Sequence, residues 1–383
     1  MSSEHVAIVG AAECDLGVTN KGVLELQTQA VTRALSDAGL SLSDVDGFAT
    51  NNVSRFSTTT MADYLGLRPS FVDCSFLGGS AFESYVGRAV QAIESGQANV
   101  VVVSYASNQR SAKSRSLGGV LEEHLPEAQF ETTYGPLYPL SYYAMAAQAY
   151  FDRFGATREQ LAEVAIAARE WAVLNPKAFR YDSGPLSVDD VLSAPMISTP
   201  LTAADCCLVT DGGGAIVLTS GERARDGSTR PVQVLGYGES TGHASMTSRD
   251  DILDTGAKRA ADAAYARAGL TAADVDVVQV YDSFTITALL SLEALGFCQP
   301  GEAGSLAAEG KLRPGGSLPF NTSGGGLSYC HPGQFGILLL IEAVRQLRGE
   351  CAERQVADAR VAVAHGTGGI LSHHSTVLLG VDQ

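Results

Sequence analysis

The apolar residues fall into two kinds of run. Short, nearly unbroken blocks include Val6-Ala7-Ile8-Val9-Gly10, Asn99-Val100-Val101-Val102-Val103, Val232-Gln233-Val234-Leu235-Gly236 and Arg360-Val361-Ala362-Val363-Ala364. Blocks of this length with β-branched residues predict strands buried on both faces. Longer stretches with apolar residues at helical spacing predict helices over Val23–Ala38, Phe82–Ser95, Ile252–Ala268 and Phe335–Leu347. The order repeats. Ala38-Gly39-Leu40 followed by Asp44-Val45-Asp46 recurs as Ala268-Gly269-Leu270 followed by Asp274-Val275-Asp276, each time after a strand that ends in glycine. In both copies glycine stops the helix by supplying a left-handed cap. Strand–helix–strand order in two copies predicts an α/β protein of two duplicated, βαβ-rich halves, with helices covering both faces of the sheets.

Between the copies the pattern breaks. Ser107–Pro139 carries little regular periodicity, and helices are expected again over Tyr142–Arg153 and Arg158–Leu174. The division expected is an N-terminal half of residues 1–106 and 190–228, an inserted loop or lid over 107–189, and a C-terminal half of residues 229–383. Insertions of this kind often cover a substrate site.

A length of 383 residues with 45% hydrophobic and 18% charged residues is that of an ordinary globular chain. A formal charge of −16 argues against nucleic-acid binding, which needs a basic surface. The seven cysteines are odd in number and include no CxxC pair, so neither a disulfide framework nor a structural metal site is expected. The N-terminal stretch Met1–Val9 lacks the pattern of a secretory signal, and the most apolar run, Phe335–Val344, is too short to span a bilayer. These features point to a cytoplasmic protein with no membrane association.

Several segments resemble thiolases. Ser75-Phe76-Leu77-Gly78-Gly79-Ser80-Ala81 is similar to the turn that opens with the thiolase nucleophile; Tyr281-Asp282-Ser283-Phe284 stands where the sterol carrier protein X branch has His-Asp-Cys-Phe; Gly324-Gly325-Gly326 with His331-Pro332-Gly333 resembles the Gly-Gly…Gly-His-Pro motif; and His365-Gly366-Thr367-Gly368-Gly369 resembles the C-terminal glycine turn. Asp211-Gly212-Gly213-Gly214-Ala215 and Asn175-Pro176 follow in the same order. The resemblance covers nearly the whole chain and implies the five-layered αβαβα thiolase fold, acyl-CoA substrates and a homodimer. The thiolase cysteines are replaced, however. Ser75 stands at the nucleophile, Ser283 at the second cysteine and Tyr281 at a histidine, while His331 is retained. A serine hydroxyl without an adjacent base is a poor nucleophile. With Tyr329 in Leu327-Ser328-Tyr329-Cys330-His331-Pro332, the chain resembles the lipid-transfer-protein aldolases of steroid side-chain degradation. That likeness implies retro-aldol cleavage of a β-hydroxyacyl-CoA and a small OB-fold, zinc-ribbon partner subunit.

Such a cleavage needs a base for the β-hydroxyl, donors for the thioester oxygen as it becomes an enolate, and an acid for the released carbon. It needs neither a metal nor a cofactor other than the coenzyme A of the substrate. Tyr281 and Tyr329 are the expected base and acid, and His331 the expected oxyanion donor. A tyrosine that titrates near ~10 needs a relay or a lowered pKa to act as base. Ser75, Gly78, Gly325, Gly326, Cys330, His365 and Gly368 are expected to line the substrate. Asp282 is expected to cap the helix that begins at Phe284, and His373 and His374, adjacent on a strand, to face opposite ways. Two other readings stay open: a thiolase or acyltransferase working through Cys330 or Cys74, and a catalytically silent subunit that scaffolds a partner.

Overall fold

The computed structural model describes residues 5–114, 123–227 and 229–382, so residues 1–4 of the expected leaderless N-terminus lie outside it. The strands are β1 (Ala7–Glu13), β2 (Gly47–Ala49), β3 (Phe71–Asp73), β4 (Val100–Ser107), β5 (Met196–Ser198), β6 (Leu201–Thr202), β7 (Gly212–Thr219), β8 (Val232–Thr241), β9 (Val277–Val280), β10 (Val361–Gly368) and β11 (His373–Gly380). The helices are α1 (Val23–Asp37), α2 (Ser57–Leu65), α3 (Ala81–Glu94), α4 (Leu140–Phe154), α5 (Arg158–Ala172), α6 (Val188–Ser193), α7 (Gly221–Arg225), α8 (Ala257–Ala268), α9 (Thr285–Ala294), α10 (Ala303–Ala308) and α11 (Gly336–Arg348). The expected start of the Ile252–Ala268 helix moves to Ala257, because Gly256 takes a left-handed conformation (φ 80°) and ends the preceding turn.

The strands run in the order β3-β2-β4-β7-β1-β8-β11-β10-β9. The first five belong to one half and the last four to the other. The seam between them is short, with Ala7 opposite Gln233 and Ile8 opposite Val232. Helices α3 and α11 lie between the two halves of the sheet, in one core that joins Val101, Val103 and Ile216 to Ala362, Ala364 and Val377. Helix α1 covers the outer face of the N-terminal half. Helices α8 and α9, with α4 and α5 of the insertion, cover the outer face of the C-terminal half. Five layers result.

The duplicated signals have physical causes. Gly10 and Gly236 let a helix lie directly on a strand: an added Cβ would sit 2.1 Å from the Ala34 carbonyl oxygen in one half and 2.3 Å from that of Ala264 in the other. In Asp-Val-Asp the first aspartate closes a capping box, with Ser41 in one copy and Thr271 in the other. The second ties down the start of a distant strand. Asp46 accepts from the Asn99 and Val100 amides before β4, and Asp276 accepts from those of Arg360 and Val361 before β10. Among the described residues no helix is long and apolar enough to cross a membrane.

Candidate functional site

The motif segments converge where the halves meet. Tyr281 follows β9, its amide bonded to the His365 carbonyl at 2.9 Å. His331 follows a π-helical turn, Gly325–Tyr329, and its amide is held by Thr210 Oγ1 at 3.0 Å. The two side chains meet: Tyr281 Oη lies 2.7 Å from His331 Nε2, and the rings stack with centroids 5.5 Å apart. Tyr281 Oη also reaches the Gly333 carbonyl at 3.1 Å. Burial pushes the His331 pKa down to about 4, while hydrogen bonding to the backbone, first at His331 itself and then at Leu208, pulls it partly back up. Burial, with smaller effects from Cys207 and Tyr143, holds the Tyr281 hydroxyl well above its usual range.

Glycine turns pack around this pair. A Cβ on Gly79 would fall 2.7 Å from Tyr281 Cε1, and one on Gly368 would fall 1.8 Å from the Leu77 carbonyl oxygen. Gly78 (φ 61°) packs against Gly368 and Gly369, so the 75–80 and 366–369 turns lie face to face. Gly326 lies beside the His331 ring, and Gly325 (φ 62°) lies on the Asp282 carboxyl. Asp282 does not cap α9, whose N-cap is Phe284. It accepts from the Gly326 amide at 2.6 Å and anchors the glycine turn instead.

The other expected site residues are placed as follows. Ser75 is held away from Tyr281 and His331: its hydroxyl donates to Asp73 Oδ1 at 2.7 Å and accepts from Arg88 Nη1 at 2.6 Å. Cys330 is buried against Thr210 Oγ1 (3.1 Å) with its pKa pushed up to about 12 by burial, and Cys74 is exposed on the turn after β3. The His365 ring bonds Thr376 Oγ1 at 2.8 Å and stacks on His374, while His373 turns the other way to Ser80 Oγ at 2.8 Å. The Tyr329 hydroxyl donates to Glu13 Oε1 at 2.9 Å, whereas that of Tyr281 meets His331 Nε2.

Some site features carry no motif. A cavity of about 580 Å³ is lined by Arg110, Arg169, Arg180, Phe179, Cys207 and Leu208. Neither Tyr281 nor His331 lines it; its tie to their surroundings runs through Leu208, whose amide bonds the Gly326 carbonyl at 2.9 Å, and through Leu327 and Ser328 of the turn before His331. Its arginines lie apart in the chain, and only the fold gathers them. Tyr143 of α4 closes the C-terminal side, stacking on Phe284 and donating to the Gly369 carbonyl at 3.2 Å.

Burial here sets the pH response of the whole fold. His243, His331 and His365 are pushed down to about 4, with His373 and His374 also lowered, by burial first in each case. The unfolded chain takes up those protons near the ordinary 6.5, so stability is lost as pH falls from about 6.5 toward 4. Burial raises Glu83 to about 8 and Asp282 to about 7. Their folded forms keep a proton that the unfolded chain gives up at lower pH, so stability also declines as pH rises toward 8. Below about 6.5 the five histidines outweigh the two acids, and above it the acids prevail. The melting temperature is therefore expected to peak near pH ~7. Glu83→Gln should flatten the alkaline decline in scanning fluorimetry, and an unchanged decline would show that Glu83 stays ionised in the fold.

A family profile described as thiolase C-terminal domain-like matches residues 238–381. The chain is 36% identical to a 17-hydroxy-3-oxo-4-pregnene-20-carboxyl-CoA lyase of Mycobacterium tuberculosis, over 96% of this chain and 98% of that one. It is 36% identical to a steroid side-chain-cleaving aldolase of Thermomonospora curvata, over 99% and 98% of the two chains. Its fold superposes on the solved Ltp2-ChsH2(DUF35) aldolase with a TM-score of 0.89 and 33% identity, covering 99% of this chain and 98% of that one.

Proposed function

This chain belongs to the thiolase superfamily as an aldolase of its lipid-transfer-protein branch, and we propose that Tyr281 and His331 perform its retro-aldol cleavage of a β-hydroxyacyl-CoA. The observation that carries this assignment is the 2.7 Å contact between Tyr281 Oη and His331 Nε2. Tyr281 accepts the proton of the β-hydroxyl and passes its own to Nε2. The Cα–Cβ bond breaks, the β-carbon becomes a ketone, and the bonding pair moves to Cα and the thioester oxygen as an enolate. Tyr281 then gives its proton to Cα and takes one back from the imidazolium, and a shortened acyl-CoA leaves. The weak basicity of His331 keeps it neutral at rest and makes its protonated form a strong acid for the return step. The Gly78–Ser80 turn that opens α3 lies against the Tyr281 ring and supplies backbone amides for the enolate oxygen.

The arginine-lined cavity suits the phosphates and pantetheine of coenzyme A. A steroid acyl group is our reading from the substrate in the mycobacterial relative's name and from the activity named for the Thermomonospora relative. We read the chain as a cytoplasmic homodimer. Support comes from the edge position of β3, next to which Val72 and Phe76 are 56% and 63% exposed. We read a small OB-fold, zinc-ribbon subunit as its partner from the family resemblance; the solved aldolase, in which Ltp2 is paired with ChsH2(DUF35), supports a partner subunit.

The test is incubation of the protein, with and without a DUF35-type subunit, with a β-hydroxyacyl-CoA of steroid type, followed by mass spectrometry. Ketone and shortened acyl-CoA are expected, and thiolysis products in their place would support an acyltransferase. Ser75→Ala should retain most of the activity, because the serine hydroxyl is engaged by Asp73 and Arg88. Iodoacetamide should leave turnover intact. An acyl ester trapped at Ser75 would overturn the assignment.

A further inference from the structure

Glu13, at the end of β1, is 5% exposed and ligated on all sides. Both of its oxygens accept from the guanidinium of Arg345 on α11. Oε2 takes Lys177 Nζ at 3.1 Å, and Oε1 takes the Tyr329 hydroxyl at 2.9 Å. Two cations hold one buried carboxylate, Arg345 from within and the half-exposed Lys177 from the surface, so its charge is fixed. Each partner belongs to a segment of the site. Tyr329 closes the turn that delivers His331. Lys177 belongs to the 175–180 loop, which hangs on that turn at three further points: Asn175 Nδ2 to the Ser323 carbonyl (2.9 Å), the Phe179 amide to the Tyr329 carbonyl (2.9 Å) and the Arg180 amide to the Ser328 carbonyl (3.1 Å). Phe179 and Arg180 then line the cavity, with Arg110 stacked 4.8 Å from the Phe179 ring.

We propose that Glu13 is a positioning residue for the cleavage: through Tyr329 it fixes the turn that carries His331, and through Lys177 it seats the Phe179–Arg180 wall of the acyl-CoA cavity on that turn. One carboxylate thus registers the proton-transfer group against the substrate channel. The contact does not make Tyr329 a base. A carboxylate already shared by two cations is a poor proton acceptor, so the tyrosine that donates to it stays protonated. The proposal rests on the assignment of His331 to the reaction.

Three variants test it: Tyr329→Phe, Lys177→Met and Glu13→Gln. The readouts are kcat and KM for the β-hydroxyacyl-CoA, the pH–rate profile, and Kd for that thioester by calorimetry. Tyr329→Phe should lower kcat about tenfold, with KM and the shape of the pH profile unchanged, as expected of a group displaced by a fraction of an ångström. Lys177→Met should raise KM and Kd about three- to tenfold with kcat within twofold, a loss of binding alone. Glu13→Gln should do both. If Glu13→Gln does not fold, the two single-arm variants decide. A loss of a hundredfold or more in Tyr329→Phe, with one limb of the pH profile gone, would show that Tyr329 transfers the proton itself and would overturn the proposal. So would lower melting temperatures with kcat, KM and Kd all unmoved. Should the wild type cleave no such thioester, the functional reading fails but Kd still reports on Lys177, and an unchanged Kd overturns the binding arm.

Discussion

Tyr281→Phe is expected to cut kcat for carbon–carbon cleavage by at least about a hundredfold while barely moving the melting temperature. Phenylalanine keeps the ring that stacks on His331 and Phe335 and removes only the hydroxyl. That hydroxyl is the partner of His331 Nε2 among the described residues, so its loss breaks the proton route at its first step. General acid–base groups contribute about 10²–10⁴ in rate, or roughly 3–5 kcal/mol of barrier. His331→Ala should fall in the same range, and the double variant should lose far less than the product of the two, since both residues serve one relay. Binding of the acyl-CoA should persist in all three. Near-normal kcat in Tyr281→Phe beside an inactive His331→Ala would make the tyrosine structural and leave His331 as an oxyanion donor only.

Most of the fold was legible in the chain because its signals are local and repeated. Solid apolar blocks, helical spacing and Ala-Gly-Leu stops recur in one order, and each marks an element seen in the structure. Tyr281, His331 and the glycine turns are legible because each lies in a short motif that resembles one of the thiolases. Side-chain direction is not. Tyr329 sits two residues before His331, and the resemblance to the lipid-transfer-protein aldolases implies a shared site for both. The turn between Gly325 and Tyr329 is π-helical, entered through left-handed glycines, and it sends the two side chains to different partners. A short acidic side chain before a helix usually caps it, and the local sequence suggests that role for Asp282. Its actual partners are the Gly326 and Leu327 amides, which no local pattern connects to it. Glu13 and the arginines of the cavity are ordinary charged residues in sequence. Their roles come from contacts across more than a hundred residues, as between Glu13 and Arg345.

Gly79→Ala should be nearly as damaging as loss of the tyrosine hydroxyl, although it removes no functional group. Gly79 has no positive φ, so alanine is acceptable to the backbone there and only space is at issue. The added methyl would lie 2.7 Å from Tyr281 Cε1, 2.8 Å from Cζ and 2.7 Å from the Thr367 carbonyl oxygen. Carbon needs roughly 3.5–4.0 Å to its non-bonded neighbours, so the tyrosine ring or the glycine turn must retreat by about 1 Å. The ring is pinned on its other side by His331 and Phe335, and the turn by Gly368, whose own Cβ position is already filled by Leu77. Overpacking of this kind costs about 1–3 kcal/mol, which a chain of this size should survive with a fall of a few degrees in melting temperature. Misplacing a reacting group by about 1 Å can cost on the order of a hundredfold in rate. We therefore expect Gly79→Ala to fold, to bind acyl-CoA with a changed KM of at most a few-fold, and to lose about a hundredfold in kcat. Gly22→Ala is the control: nothing lies within 4 Å of its Cβ position and its φ is negative, so its kcat should match the wild type. Full activity in Gly79→Ala would mean that the Tyr281 hydroxyl tolerates displacement. The close packing of the two glycine turns would then serve the fold rather than the alignment of the relay.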